Sequence, residues 1–313
     1  MNAATETREI VTVTVGEISL RGTYHRSDSP ADQSGSKRTG VLFVNAGFLP
    51  RASIGDSAVY LADSLAQCGY PSFRFDLTGL GDSDGDVPAP LLDFMNSGGY
   101  APILSATVRE LVERFSLSGL IIFGHCGGAT SALFSAAITK ECTGLILLDP
   151  YFFLPVERTK VRAELSHWVS RDRFGALASA VYHFLKHVRL LLRRNRPPSN
   201  ANLPLIGCWK QLASAGLPIL VLKAPALKTR GTKPRVGEFD YLGYLQALAG
   251  RNSRIAIEFI ESTDHSFANL QGRTAVRHHT EQWLNAVTER RPVLEFAERC
   301  EGNVRGSEVE CGR

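Results

Sequence analysis

The run Gly124-His125-Cys126-Gly127-Gly128 constrains this chain more than any other part of it. It follows the apolar residues Leu120-Ile121-Ile122-Phe123 and leads into a small-residue helical stretch, Ala129-Thr130-Ser131-Ala132-Leu133. The order is strand, sharp turn, helix, which is the context of a G-x-nucleophile-x-G elbow. The glycines have a physical task. A residue on so tight a turn takes strained backbone angles, and a side chain on its neighbours would collide with the adjoining strand or helix. Serine is the usual residue at the centre, but here it is Cys126. The motif therefore points to acyl transfer, and the cysteine to a thioester intermediate. A small cysteine after a strand is also ordinary packing, so the rest of the chain has to weigh in.

The rest of the chain alternates. Residues 9–25 read as two strands around Gly16-Glu17, an opening hairpin. Val41-Leu42-Phe43-Val44, Phe73-Arg74-Phe75-Asp76, Leu145-Ile146-Leu147-Leu148, Ile219-Leu220-Val221-Leu222 and Ile255–Ile260 read as further strands. Helical spacing appears over Ser53–Gln67, Ala101–Phe115, about 239–249 and about Thr274–Arg290. Strands alternating with helices imply a mostly parallel, doubly wound sheet covered on both faces. Residues 151–215 carry helical pattern without a strand and read as an inserted lid, so the core is expected from 1–150 and 216–290. Residues 291–313 are polar and read as a C-terminal tail.

Composition narrows the setting. With 313 residues, 44% of them hydrophobic, the chain has enough apolar surface for one large α/β core. Residues 1–9 are polar, and no apolar run approaches about 20 residues, so a cytoplasmic protein is expected. The six cysteines show no paired spacing for a metal, and most are expected to be free thiols. A formal charge of +4 does not by itself indicate nucleic acid.

With these pieces in order, residues 9–290 resemble the α/β-hydrolase superfamily. Asn45-Ala46-Gly47-Phe48 follows the first central strand, where that family often has a His-Gly oxyanion turn. Asp76-Leu77-Thr78-Gly79-Leu80-Gly81-Asp82-Ser83 looks like the family's Asp-x-x-Gly-x-Gly-x-Ser loop. The elbow comes next. Asp264-His265-Ser266-Phe267 follows the last strand, where the family places its histidine. The cysteine elbow is similar to that of dienelactone hydrolases and of acyltransferases that shuttle acyl groups between carrier proteins. The run 69–85 resembles hydrolases associated with exosortase gene clusters.

The resemblance gives the residues roles. Cys126 is the expected nucleophile. A free thiol has a pKa near ~8.5 and needs help to ionise, which the helix N-terminus and His265 would supply. His265 is the expected base and then acid to the leaving group. The N–H groups of Gly127 and Phe48 are the expected oxyanion hole, and Asn45 is expected to brace the turn that carries Phe48. Asp76, Asp82 and Ser83 read as loop bracing, and His125 as packing or loop contact. The acid is where the chain departs from pattern. The family's usual position after Ile219–Leu222 reads Lys223-Ala224-Pro225-Ala226-Leu227, with no carboxylate. Asp149, at the end of the preceding strand, is preferred, with Asp240 (near Glu238) as the alternative. Asp264 adjoins His265 and is not assigned, because neighbouring loop side chains diverge.

No cofactor or metal is implied. His183 and His187 have i, i+4 spacing but lack a third ligand. Residues 157–196 carry ten Lys or Arg, from Arg158 to Arg193, Arg194 and Arg196, against three acids. That excess reads either as a solvated helix face or as a docking surface for an acidic carrier protein or an acyl-CoA. The reading reached is an acyl-transfer enzyme, thioesterase or acyltransferase, with a Cys126–His265–Asp149 triad. The alternatives are a lactone or carboxylester hydrolase and a catalytically silent binding module.

Overall fold

A computed structural model describes residues 7–27, 38–154, 197–225, 241–250, 252–261 and 263–289. Among them eight strands form one sheet: β1 Arg8–Val15, β2 Ile18–His25, β3 Thr39–Val44, β4 Ser72–Phe75, β5 Gly119–His125, β6 Cys142–Leu148, β7 Ile219–Lys223 and β8 Ile255–Phe259. Their order is β1-β2-β4-β3-β5-β6-β7-β8. The opening hairpin is antiparallel and joins β4 antiparallel, and every pairing from β4 through β8 is parallel. This is the mostly parallel sheet that the alternating pattern predicts.

The central strands are apolar throughout because both faces are covered. Alternate residues divide cleanly between two cores. Val41, Phe43, Ile121, Phe123, Ile146 and Leu148 pack on one face, with helix α1 (Ser57–Gln67) and the last helix, α7 (Leu270–Glu289). Leu42, Val44, Leu120, Ile122, Leu145 and Leu147 pack on the other. That second face is covered by α3 (Ala101–Arg114), α4 (Gly127–Ala136), α5 (Leu203–Ser214) and α6 (Tyr241–Ala249), with a short helix α2 (Leu91–Asn96). The period of two in a strand is what sends neighbouring residues to opposite cores.

The boundaries differ from the sequence reading in places. Helix α7 begins at Leu270, one turn before the expected Thr274. Helix α5 lies inside the stretch read as lid. Asn202 caps it by accepting the Leu205 N–H at 3.2 Å, and Pro204 sits in its first turn. Its Trp209 is fully buried, meets Phe152 edge-on and donates to the Leu245 carbonyl at 3.0 Å. The flanks 151–154 and 197–215 thus pack onto the core through partners that lie far from them in sequence. Residues 155–196, with the basic excess and His183 and His187, lie outside the described residues. So do Glu238, Asp240 and the tail 291–313. None of the described helices is long and apolar enough to cross a membrane.

Candidate active site

The parallel ladder runs past the strand ends and lines up the site. The Cys126 N–H donates to the Leu148 carbonyl at 2.9 Å, the Asp149 N–H to Leu222 at 2.8 Å, and the Ile260 N–H to Lys223 at 2.9 Å. The carboxyl ends of β5, β6, β7 and β8 therefore present Cys126, Asp149, Lys223 and Ile260 side by side. Open α/β sheets bind ligands at this edge.

The elbow has the expected shape. Cys126 stands at φ 53°, ψ −116°, between β5 and α4. A Cβ on Gly124 would lie 2.5 Å from the Gly128 carbonyl oxygen, and one on Gly128 would lie 2.3 Å from that of Asn45. Strand, helix and the neighbouring β3 end approach so closely that only hydrogen fits at these two positions. The Gly127 N–H opens α4, where the first N–H groups have no partner within the helix. A Cβ on Gly127 would stand 3.6 Å from the Gly47 nitrogen, so the 45–49 turn faces the elbow. That turn is braced from below. The Asn45 amide donates to the Leu49 carbonyl at 2.7 Å and its oxygen accepts the Leu77 N–H at 3.0 Å. Fully buried Asp76 accepts the Arg51 N–H at 2.6 Å and pairs with the Arg51 guanidinium, which also reaches Asp82 at 2.7 Å. Ser83 donates to the Asp76 carbonyl at 2.7 Å. Phe48 itself is an exposed side chain on this turn.

His265 comes to the elbow from the loop after β8. Cys126 is near enough to act on its imidazole. Its Nδ1 is hydrogen-bonded to Asp149 Oδ2. Lys223 Nζ binds the other carboxylate oxygen, Oδ1. Burial works to raise Asp149, but the hydrogen bonds from His265 and Lys223 outweigh it and hold the carboxyl below its usual range. The Asp149 carboxylate, and after it the Cys126 sulfur, stabilises the His265 imidazolium and pushes it up to about 10. Asp264 turns away, accepting the Ser266 N–H at 2.9 Å.

One participant has no role in the sequence analysis: Lys223, for which a lone charge closing the otherwise apolar strand Ile219–Lys223 is the available signal. His125 makes the loop contact that is one of its two expected roles. It is buried, and its Nε2 lies 2.7 Å from the His265 carbonyl oxygen. A carbonyl can only accept, so Nε2 carries the hydrogen. Burial pushes His125 down to about 4 and keeps it neutral. A cavity of about 30 Å³, room for about one water, adjoins it and is lined also by Ser266 and Phe267. Three residues of the site, Cys126, Asp149 and Phe267, have positive φ, at 53°, 45° and 50°.

The other described cysteines are free thiols of a different kind. Cys142 is pushed up to about 12 by burial, Cys208 is raised by burial, and Cys68 is raised by burial and by Glu281. Among the described residues no cluster of three or more His, Cys, Asp or Glu could hold a metal ion.

No protein-family model and no curated protein matches the chain. Solved structures do. TT1662 of Thermus thermophilus is similar over 91% of this chain and 99% of its own, at 15% identity and a TM-score of 0.54. The esterase Pf2001 of Pyrococcus furiosus is similar over 89% and 91%, at 16% identity and 0.55. The α/β hydrolase GrgF from Penicillium sp. sh18 is similar over 90% and 99%, at 14% identity and 0.52. At these identities the likeness establishes the fold alone, which is the α/β-hydrolase fold.

Proposed function

We propose that this chain is a hydrolase-type acyl-transfer enzyme that works through an acyl thioester on Cys126. The observation that carries the reading is the convergence of a cysteine, a histidine and a carboxylate from three separate strand ends. The described neighbours of known type include an esterase and an α/β hydrolase, which fits acyl chemistry on this fold. In the reactive form the thiol proton rests on His265, and the thiolate faces the imidazolium. The sulfur attacks the acyl carbon, and the carbonyl oxygen becomes an oxyanion. The Gly127 N–H and an N–H of the facing turn, from Phe48 or its neighbour Gly47, would receive that charge. Collapse expels the leaving thiol or alcohol, which takes the His265 proton. An acceptor, water or another nucleophile, then gives its proton to His265, attacks the thioester and frees Cys126. Asp149 keeps the imidazole in one orientation and balances its charge throughout.

A thioester donor fits the cysteine better than an oxygen ester does. Passing an acyl group from thiol to thiol is nearly isoenergetic, whereas serine would form a more stable ester. The basic stretch 157–196 suits an acyl-CoA or a carrier-bound acyl group. The silent binding module drew on the missing acid, and Asp149 beside His265 leaves it without that support.

Intact-protein mass spectrometry with short acyl thioesters tests the reading. The native protein should gain one acyl mass, and Cys126→Ala should gain none. An undiminished adduct on Cys126→Ala would move the nucleophile to another cysteine.

A further inference from the structure

Lys223 is the one charged residue of β7, and it closes that strand. Its ammonium sits on Asp149 Oδ1 while His265 Nδ1 takes Oδ2. The Asp149 side chain is 10% exposed and that of Lys223 28%. The backbone fixes their relation, because the Asp149 N–H is tied to Leu222, the residue before Lys223, at 2.8 Å. The carboxylate is thus gripped at both oxygens by cations from two different directions. It cannot turn toward a second acceptor geometry without breaking one pair. A buried carboxylate with one oxygen unpaired would be driven toward its neutral form by desolvation. A neutral carboxyl would no longer balance the imidazolium.

We infer that Lys223 is a positioning residue: it occupies one oxygen of Asp149 so that the other stays ionised and fixed on His265. The inference rests on the Asp149–His265 pairing of the proposed site, and goes beyond it by giving a role to a residue outside the triad. Among the described residues, the titratable groups acting on this carboxylate are Lys223 from β7, His265 from the loop after β8 and His125 from the end of β5. Cys126 acts on the far side of the imidazole. His125 is neutral above about 4 and adds no charge there. Lys223 is therefore the one of them that grips the carboxylate from outside the Cys126–His265 pair.

The sign follows from the carboxyl's lowered pKa. A carboxylate held down by its partners keeps its pairing above that value and loses it as pH falls through it. Without the Lys223 cation the loss moves to higher pH. The test is the far-downfield proton resonance of an imidazolium Nδ1–H bound to a carboxylate, followed on acidification and assigned by its absence in His265→Gln. In Lys223→Met, which keeps the apolar stem, the resonance should disappear about one pH unit or more higher than in the native protein, as expected for removing an adjacent opposite charge. Lys223→Arg should restore the native midpoint. If Lys223→Met does not fold, Lys223→Gln is read by the same criterion. A midpoint unchanged in the neutral variant, or a shift that Lys223→Arg fails to reverse, overturns the inference. No downfield proton in the native protein at any pH overturns the Asp149–His265 pairing and the inference together. Neither readout requires acylation of Cys126, so failure of the nucleophile assignment would show separately in the acylation experiment.

Discussion

Cys126 stands between a strand whose seven residues are all buried and a helix whose ten residues are all buried. His265 stands on a loop, and its side chain is half exposed. The nucleophile is located by packing: two glycines that admit no Cβ, and a brace of Asn45, Asp76 and Arg51 beneath the facing turn. The base is located by hydrogen bonds. Asp149 holds its ring, Lys223 holds Asp149, and His125 holds its backbone. Packing fixes position steeply and at all pH values. Charged hydrogen bonds fix position and proton affinity together, and they respond to pH. A site that must store a proton on one member and a nucleophile on another gains from building the two halves differently.

The elbow half should break most severely. Gly128→Ala puts a methyl group 2.3 Å from the Asn45 carbonyl oxygen, a backbone atom with nowhere to go. Overpacking in a close-packed core costs about 1–3 kcal/mol and more when backbone must move. We expect a fall in stability at or above the top of that range, with all acylation lost. Chemical denaturation measures the first and mass spectrometry the second. A variant as stable as the native protein would mean that the elbow is looser than its contacts imply.

The base half should fail chemically while the fold survives. Asp149→Asn leaves a side chain of the same size but cannot balance an imidazolium, and the comparable change in serine triads costs about 10⁴-fold in turnover. A loss of about a thousandfold or more is expected here, with unfolding still cooperative. The pH dependence supplies a second signature. His265 is raised in the folded state to about 10, so the stability it contributes is fully present below its ordinary value of 6.5 and is lost as pH rises through about 10. Asp149 is lowered, so its contribution is present above its ordinary value of 3.8 and is lost as pH falls through the folded value. Stability measured from pH 6.5 to 10 should therefore decline in the native protein and run flatter in Asp149→Asn. Parallel curves would show that the carboxylate does not set the His265 proton affinity.

The same division explains what the sequence could disclose. The elbow is contiguous, and its glycines, strand and helix are all visible within residues 119–136. The fold was legible for a related reason, since strands buried on both faces are continuous apolar runs. The acid was only half legible. Asp149, at the end of a strand, reads equally as an Asp-Pro turn, and nothing local says that its side chain meets a loop 116 residues later. Lys223 and His125 were present in plain view but acquire their partners only through strand order. Helix α5 was read as part of the insertion because its buried face answers to Phe152 and Leu245, which lie far from it in sequence.

The smallest expected effect lies where the halves touch. His125 precedes the nucleophile in the chain and donates to the backbone of the base at 2.7 Å, so one hydrogen bond couples the elbow to the loop. A neutral hydrogen bond contributes about 1 kcal/mol net, and 1.4 kcal/mol corresponds to a tenfold change in rate. His125→Phe removes the donor and keeps an aromatic ring against Phe267, with the small cavity beside it to take the added volume. The loop should then sample orientations in which His265 misses Cys126. We expect kcat to fall severalfold to about tenfold, with KM little changed, because substrate contacts are untouched. His125→Gln, which can still donate, should recover part of the loss. An unchanged kcat in His125→Phe, or no recovery in His125→Gln, would show that the base is held by its carboxylate alone and that the two halves are mechanically independent.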